Sequence, residues 1–174
     1  MPHPSENFPA EPLGDFIPNL PAKHPALLAH THRLLESYRH WLGKPLLVLP
    51  EMATDSQTVS AVFFAPFVLV SGGTEPDQIL NYANRRALDL WEYSWDEMTR
   101  TPSRLTAEPM HREARARFLE EVRTNGFIEN YEGIRISKSG RRFRIEQATV
   151  WNLLDDAGHY AGQAAMFEKF SPLP

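Results

Sequence analysis

Three side chains in one stretch have the types to hold a metal ion. His32, Glu36 and His40 step by four residues, the interval that stacks side chains on one helical face. Two imidazoles flanking a carboxylate are donors for a divalent cation. The two histidines stand about two helical turns apart, however, too far to share one ion easily. The trio therefore reads as a solvated ion-pair face. His111 opens a later helical stretch and reads as an exposed first-turn histidine rather than a haem ligand. The carboxylate pairs Glu120–Glu121 and Asp155–Asp156 fall on a helix surface and in a turn, and read as solvated. Neither a GxSxG elbow nor a phosphate-binding glycine loop occurs. Cysteine is absent, which removes disulfides, zinc–thiolate sites, thiol catalysis and a thiol photoadduct. No nucleophile stands beside a base, so the residues predict no enzyme, no metal site and no cofactor.

Charge narrows the partners. The 174-residue chain has a net charge of −4, with acids and bases interspersed. The run Gly140-Arg141-Arg142-Phe143 plus Arg144 makes a local basic edge, offset by Glu132 and Glu146. Neither nucleic acid nor a membrane is an expected partner. No apolar run reaches membrane-spanning length. The start, MPHPSENFPAEP, lacks the basic and apolar regions of a signal peptide, and the expected location is cytoplasmic.

The elements that must position these residues come next. Residues 1–24 carry six prolines, at 2, 4, 9, 12, 18 and 21, and read as an extended arm. Pro25 to Leu42 predicts a helix, with Leu27, Thr31, Leu34, Tyr38 and Trp41 on one stripe. Leu28, Leu35 and Leu42 widen it, and Gly43 and Pro45 end it. Pro45 to Ser60 reads as an irregular connector. Strands are expected at Val62–Val70, Gln78–Tyr82, Phe127–Ile136, Phe143–Leu153 and Tyr160–Phe170. Between the second and third come a helix capped by Asn84, a short one opened by Ser94 and Glu97, and one over Glu108–Thr124. The last should bury Met110, Ala114, Phe118 and Val122. Trp91, Tyr93 and Trp95 read as packing around a helix junction. The fold class is therefore α+β: a five-stranded antiparallel sheet with inserted helices, preceded by an N-terminal helix. The expected organisation is an arm (1–24), a helix and connector (25–60) and the sheet domain (61–174).

That order of elements is how a PAS-type sensor domain is built. The segments ILNYAN, PSRLTAEP, ENYEGIRISKSGRRFRIEQATVWNL and AAMFEKF resemble the MEKHLA domain, a PAS-like family, over about residues 25–174. Met166, Glu168 and Lys169 fall in the stretch that names that family. Phe167 interrupts the motif, and Phe170 stands where histidine would follow. The resemblance implies a sensor that modulates dimerisation, and no enzymatic activity follows from it.

A second resemblance, to flavin-binding light-oxygen-voltage domains, covers Arg100–Ala107. Ser103 stands at the photoreactive cysteine's place and Arg104 is retained. Pro102 and Ala107 replace an asparagine and a glutamine. Arg135, Ile145 and Ala164 fall where that family contacts the flavin ring, so the resemblance implies that flavin binding is lost. It also implies which faces point inward. Phe143, Ile145, Gln147, Thr149 and Trp151 would share the pocket with Tyr131, Gly133 and Arg135, and Val150 would face out with Ile134 and Ile136. The sequence alone leaves the two faces open.

On this assignment the expected ligand-binding set is Arg104, Tyr131, Arg135, Phe143, Ile145, Gln147, Thr149 and Trp151. The alternative is a structural network in which Arg135 pairs with Glu129, Glu132 or Glu146. The expected partners are an unidentified small molecule, anionic or carbonyl-bearing, and a second copy of the chain joined through the helix Pro25–Leu42. A small-molecule enzyme and a ligand-free interaction module are the rival readings.

Overall fold

The computed structural model describes residues 25–109 and 112–174. The proline-rich arm, Met110 and His111 lie outside the described residues. Two compact units divide the chain, Met1–Ala65 and Pro66–Pro174.

In the first unit, helix α1 spans Pro25–Leu42. Its apolar spacing sets the buried stripe: Leu27, Thr31, Leu34 and Tyr38 are buried, and Trp41 is half-buried. Leu28, Leu35 and Leu42 stay half-exposed. Helix α2 spans Asp55–Phe63, where the sequence reading has a connector running into a strand. Thr54 and Gln57 close a capping box: Gln57 N donates to Thr54 Oγ1 (3.2 Å) and Thr54 N to Gln57 Oε1 (2.9 Å). Burial of every residue from Thr58 to Phe63 outweighs the strand preference of its valines and phenylalanine.

The second unit is the sheet domain. Strands β1 (Val68–Gly72) and β2 (Leu80–Ala83) precede helices α3 (Arg85–Trp91) and α4 (Trp95–Met98), a 3₁₀ turn (Ser103–Thr106) and helix α5 (Arg112–Asn125). Strands β3 (Phe127–Ile136), β4 (Arg142–Leu154), β5 (Tyr160–Phe167) and β6 (Lys169–Pro172) complete it. The spatial order is β2-β1-β5-β4-β3, with β6 also on β4, and every pairing is antiparallel. The expected last strand is thus two. β5 pairs with Thr149–Leu154 and β6 with Phe143–Glu146. The chain bends at Glu168 between them, so the sheet has six strands instead of five.

Two bulges decide which side chains face the helices. Along β3 and β4 the partners are Ile128↔Val150, Tyr131↔Ala148 and Gly133↔Ile145. One extra residue falls first on β3 and then on β4. Asn130 (φ 59) and Gln147 (φ 52) take positive φ there. A bulge moves the alternation by one residue, so Val150 faces inward and Thr149 and Trp151 turn to the opposite face.

Helix α5 buries Val122, and Ala114 is exposed. Its inward residues are Arg115, Phe118, Leu119 and Val122, so the expected stripe is rotated past Ala114. Among the described residues no helix is long and apolar enough to cross a membrane.

Candidate functional site

The inner face of the sheet and the helices enclose a cavity of about 60 Å³ in the second unit. Strand register sets its floor. Val68 pairs with Phe167, and Val70 and Val150 both pair with Ala165. Paired residues share a face, so Val70, Val150, Ala165 and Phe167 stand together, with Ile145 beyond the bulge. Trp91, Met98 and Thr106 close one side, and Arg115, Phe118 and Leu119 of α5 close another. Tyr131 and Arg135 enter from β3.

Helix α5 is hung over this floor by two side-chain amides. Gln163 Nε2 donates to the Leu119 carbonyl (2.7 Å), and Asn152 Nδ2 to the carbonyls of Val122 (2.9 Å) and Arg123 (3.1 Å). Asn152 and Gln163 are themselves cross-strand partners. On the far side, Asn84 caps α3 by accepting from Ala87 N (3.1 Å). It also accepts from Leu69 N (3.0 Å) and donates to the Phe67 carbonyl (2.7 Å). One buried amide therefore fixes α3 to the start of β1.

The polar groups converge from β3 and α5. Arg135 is 6 % exposed. Its Nη2 donates to Tyr131 Oη (2.9 Å) and its Nη1 to the Ile134 carbonyl (3.0 Å). The guanidinium carbon lies 5.4 Å from the centre of the Tyr131 ring, and Phe118 stacks on that ring at 3.9 Å. Gly133 leaves the room they need: a Cβ there would stand 2.8 Å from both Arg135 Nη1 and Tyr131 Oη. Arg115 is half-buried. Burial first, and Arg135 second, push its guanidinium down to about 10, with Tyr131 opposing. Trp91, 3 % exposed, packs on Phe143 (5.3 Å) and Phe167 (6.0 Å). Its indole N–H has no acceptor among the described residues.

A wider groove of about 290 Å³ adjoins the cavity and shares Gln78, Arg115, Leu119 and Gln163 with it. Two of its carboxylates are paired, Asp77 with Arg104 (3.0 Å) and Glu120 with Arg123 (2.5 Å).

Of the residues expected to bind ligand, Tyr131, Arg135 and Ile145 line the cavity. Phe143 supports it from behind through Trp91. Arg104 turns outward to Asp77 and lines only the groove. Gln147 is exposed at the β4 bulge, and Thr149 and Trp151 are buried on the opposite face of the sheet. The period-of-two reading fails at one residue, because Gln147 takes the left-handed conformation. Val150, expected outside, is on the floor. Arg135 pairs with Tyr131 and a carbonyl rather than with Glu129, Glu132 or Glu146. Sequence reasoning missed Arg115, which lies among the charges of REARAR. The spacing Arg115, Phe118, Leu119, Val122 was the available signal. The His32–Glu36–His40 face gathers no further ligand: among the described residues no three metal-ligating side chains come together.

The site does not fit a flavin. Cofactor pockets run to about 300–1,000 Å³, against about 60 Å³ here. Ser103 Oγ is bonded to Gln78 Oε1 (3.1 Å), and Ile145 presents hydrocarbon where a ring amide would need a partner.

Comparison with known proteins agrees with this geometry. The family described as the MEKHLA domain matches residues 28–172. The homeobox–leucine zipper protein REVOLUTA of Arabidopsis thaliana is 23 % identical over 118 residues, which cover 68 % of this chain and 14 % of that protein. Among solved structures, the PAS domain of a Colwellia psychrerythraea protein superimposes with a TM-score of 0.57 at 15 % identity, over 67 % of this chain and 94 % of that one. A light-oxygen-voltage domain studied with a flavin analogue gives 0.50 at 19 % identity, over 67 % and 84 %. At such identities the structural likeness shows the fold. The chain spans about one-seventh of the curated relative's length.

Proposed function

The chain belongs to the MEKHLA domain family, and from that premise we propose that it is a non-catalytic, cytoplasmic sensory or regulatory module that holds a small molecule in the cavity of its second unit and reports occupancy through self-association. The PAS-like fold supports a sensory role. One observation carries the reading furthest: the cavity is walled by apolar side chains into which a few placed polar groups enter, the make-up of a small-molecule site. Those groups are guanidinium, phenol, hydroxyl and amide. Among the described residues no carboxylate or imidazole lines the cavity to move a proton, so the groups suit binding rather than turnover.

A cavity-filling variant tests this. Ala165 lines the cavity between Val70 and Val150, and Ala165→Leu should occupy the space while keeping the strand. We expect the freshly purified chain to carry a small-molecule adduct by native mass spectrometry, or to gain thermal stability from members of a small-molecule library. Either response should vanish in Ala165→Leu. Identical behaviour of both proteins would remove the ligand and leave an interaction module.

A further inference from the structure

Donors outnumber acceptors around this cavity. Arg135 and Arg115 bring two cations to one small space, and among the described residues no carboxylate lines it. Arg115 has no hydrogen-bond or ion-pair partner among the described residues. Tyr131 Oη accepts from Arg135, which leaves its own hydrogen free to donate. The Trp91 indole N–H is buried without an acceptor among the described residues. Of the groove's three carboxylates, Asp77 and Glu120 are already paired with Arg104 and Arg123, and Glu75 accepts from the Ile79 amide (3.3 Å). A cation withdrawn from water without an acceptor is costly, and this is the position of Arg115, whose pKa is lowered first by burial and second by the charge of Arg135. An oxyanion is the acceptor that a pair of guanidinium groups takes.

We propose that Arg115 and Arg135 form an oxyanion-binding pair, and that the ligand of this module is a small organic carboxylate. This rests on the cavity being a ligand site. A planar carboxylate matches the guanidinium fork. About 60 Å³ suits a head group, since a single water needs about 10–15 Å³. Phe118, Leu119, Val70 and Ile145 supply hydrocarbon for an organic body. Arg115 and Leu119 line both spaces, so a longer body leads past α5 into the groove. Arg115 thus sits at the passage between them, on a long side chain able to close over the bound group.

Calorimetry on the full chain separates the possibilities, with butyrate and benzoate set against the neutral butanamide and benzamide, and with inorganic phosphate. We expect at least one carboxylate to bind and its amide to bind at least about tenfold more weakly, the scale of a charge-assisted hydrogen bond. Arg115→Met and Arg135→Met should each lose a similar factor. Without ligand, Arg115→Met should melt no lower than the parent, because it removes an uncompensated charge. Weaker binding joined to undiminished stability is a signature that a packing role would not give. Arg115→Gln serves as the second variant at that position. Equal binding of carboxylate and amide, or binding unchanged by both Arg115 variants, would overturn the anion pair while the ligand-site reading stands. Phosphate binding without carboxylate binding would overturn the organic ligand. Binding of none of the probes would overturn the carboxylate inference, while the ligand-site reading is decided separately by the comparison of the parent with Ala165→Leu.

Discussion

Asn84 does more than its place in the sequence announces. A cap residue before a helix costs about 1 kcal/mol when replaced by alanine. Here the side chain is 0 % exposed and also serves Leu69 N and the Phe67 carbonyl. Alanine would leave both without that partner inside the fold, at about 1–3 kcal/mol for a buried unsatisfied group. Asn84→Ala is therefore expected to lose about 3 kcal/mol in urea denaturation. A loss near 1 kcal/mol would reduce Asn84 to a simple cap. The cap was legible because asparagine before Arg85-Arg86-Ala87 has one common use. The other two bonds were not, since they reach 15 and 17 residues back along the chain. Arg135 shows the same limit. Its inward direction followed from the light-oxygen-voltage resemblance, since strand period left the two faces open, and its partner, Tyr131, depended on how the bulged backbone brought the two together.

At the scale of elements, the hairpin between β3 and β4 is held to the end of α3 by one carboxylate. Glu92 is the left-handed C-cap of α3 (φ 62). It accepts from Ser137 Oγ (2.6 Å), Ser139 N (3.2 Å) and Ser139 Oγ, and pairs with Arg141 Nε (3.1 Å). These bonds, Ser137 first, hold its carboxyl down to about 2, against an ordinary 4.5. The depressed pKa fixes the sign of the pH dependence. The unfolded chain takes up this proton more readily, so the stabilisation is present above pH 4.5 and is lost as pH falls toward 2. Denaturation midpoints compared at pH 7 and pH 3 should fall less in Glu92→Gln than in the parent. An equal fall in both would show that the staple does not titrate this way. Elements with one strong signal were readable: α1, α3 and β3 begin and end where periodicity and caps put them. Helix α2 was not, although Thr54-x-x-Gln57 is a capping box. Its valines and phenylalanine carry strand preference, and only burial of the last two turns overrides it. The break at Glu168 and the two bulges are also properties of pairing, because an extra residue shows itself only against a partner strand.

For the whole molecule, the proposed self-association is assigned to one surface of α1. Leu28, Leu35 and Leu42 recur every seven residues along α1 and remain half-exposed. Leucines at that spacing form a seam for a second helix. The double variant Leu28→Glu, Leu35→Glu should convert a dimer into a folded monomer in sedimentation, with helix content retained by circular dichroism. A parent chain that sediments as a monomer at tens of micromolar would refute the dimer. The sequence by itself determined the α+β class, the antiparallel sheet with helices inserted between its strands, and the family. Those depend on local signals of period, caps and turns, and on motifs in order. Which side chains meet in the cavity was decided only by the tertiary structure. Left-handed backbone at Asn130 and Gln147 moves the alternation of two strands, exchanging Thr149 and Trp151 for Val150. Asn152 and Gln163 set the rotation of α5 and bring Arg115 inward. Each choice is made by a hydrogen bond or a pairing between residues far apart in the chain, and no local window of sequence contains both ends.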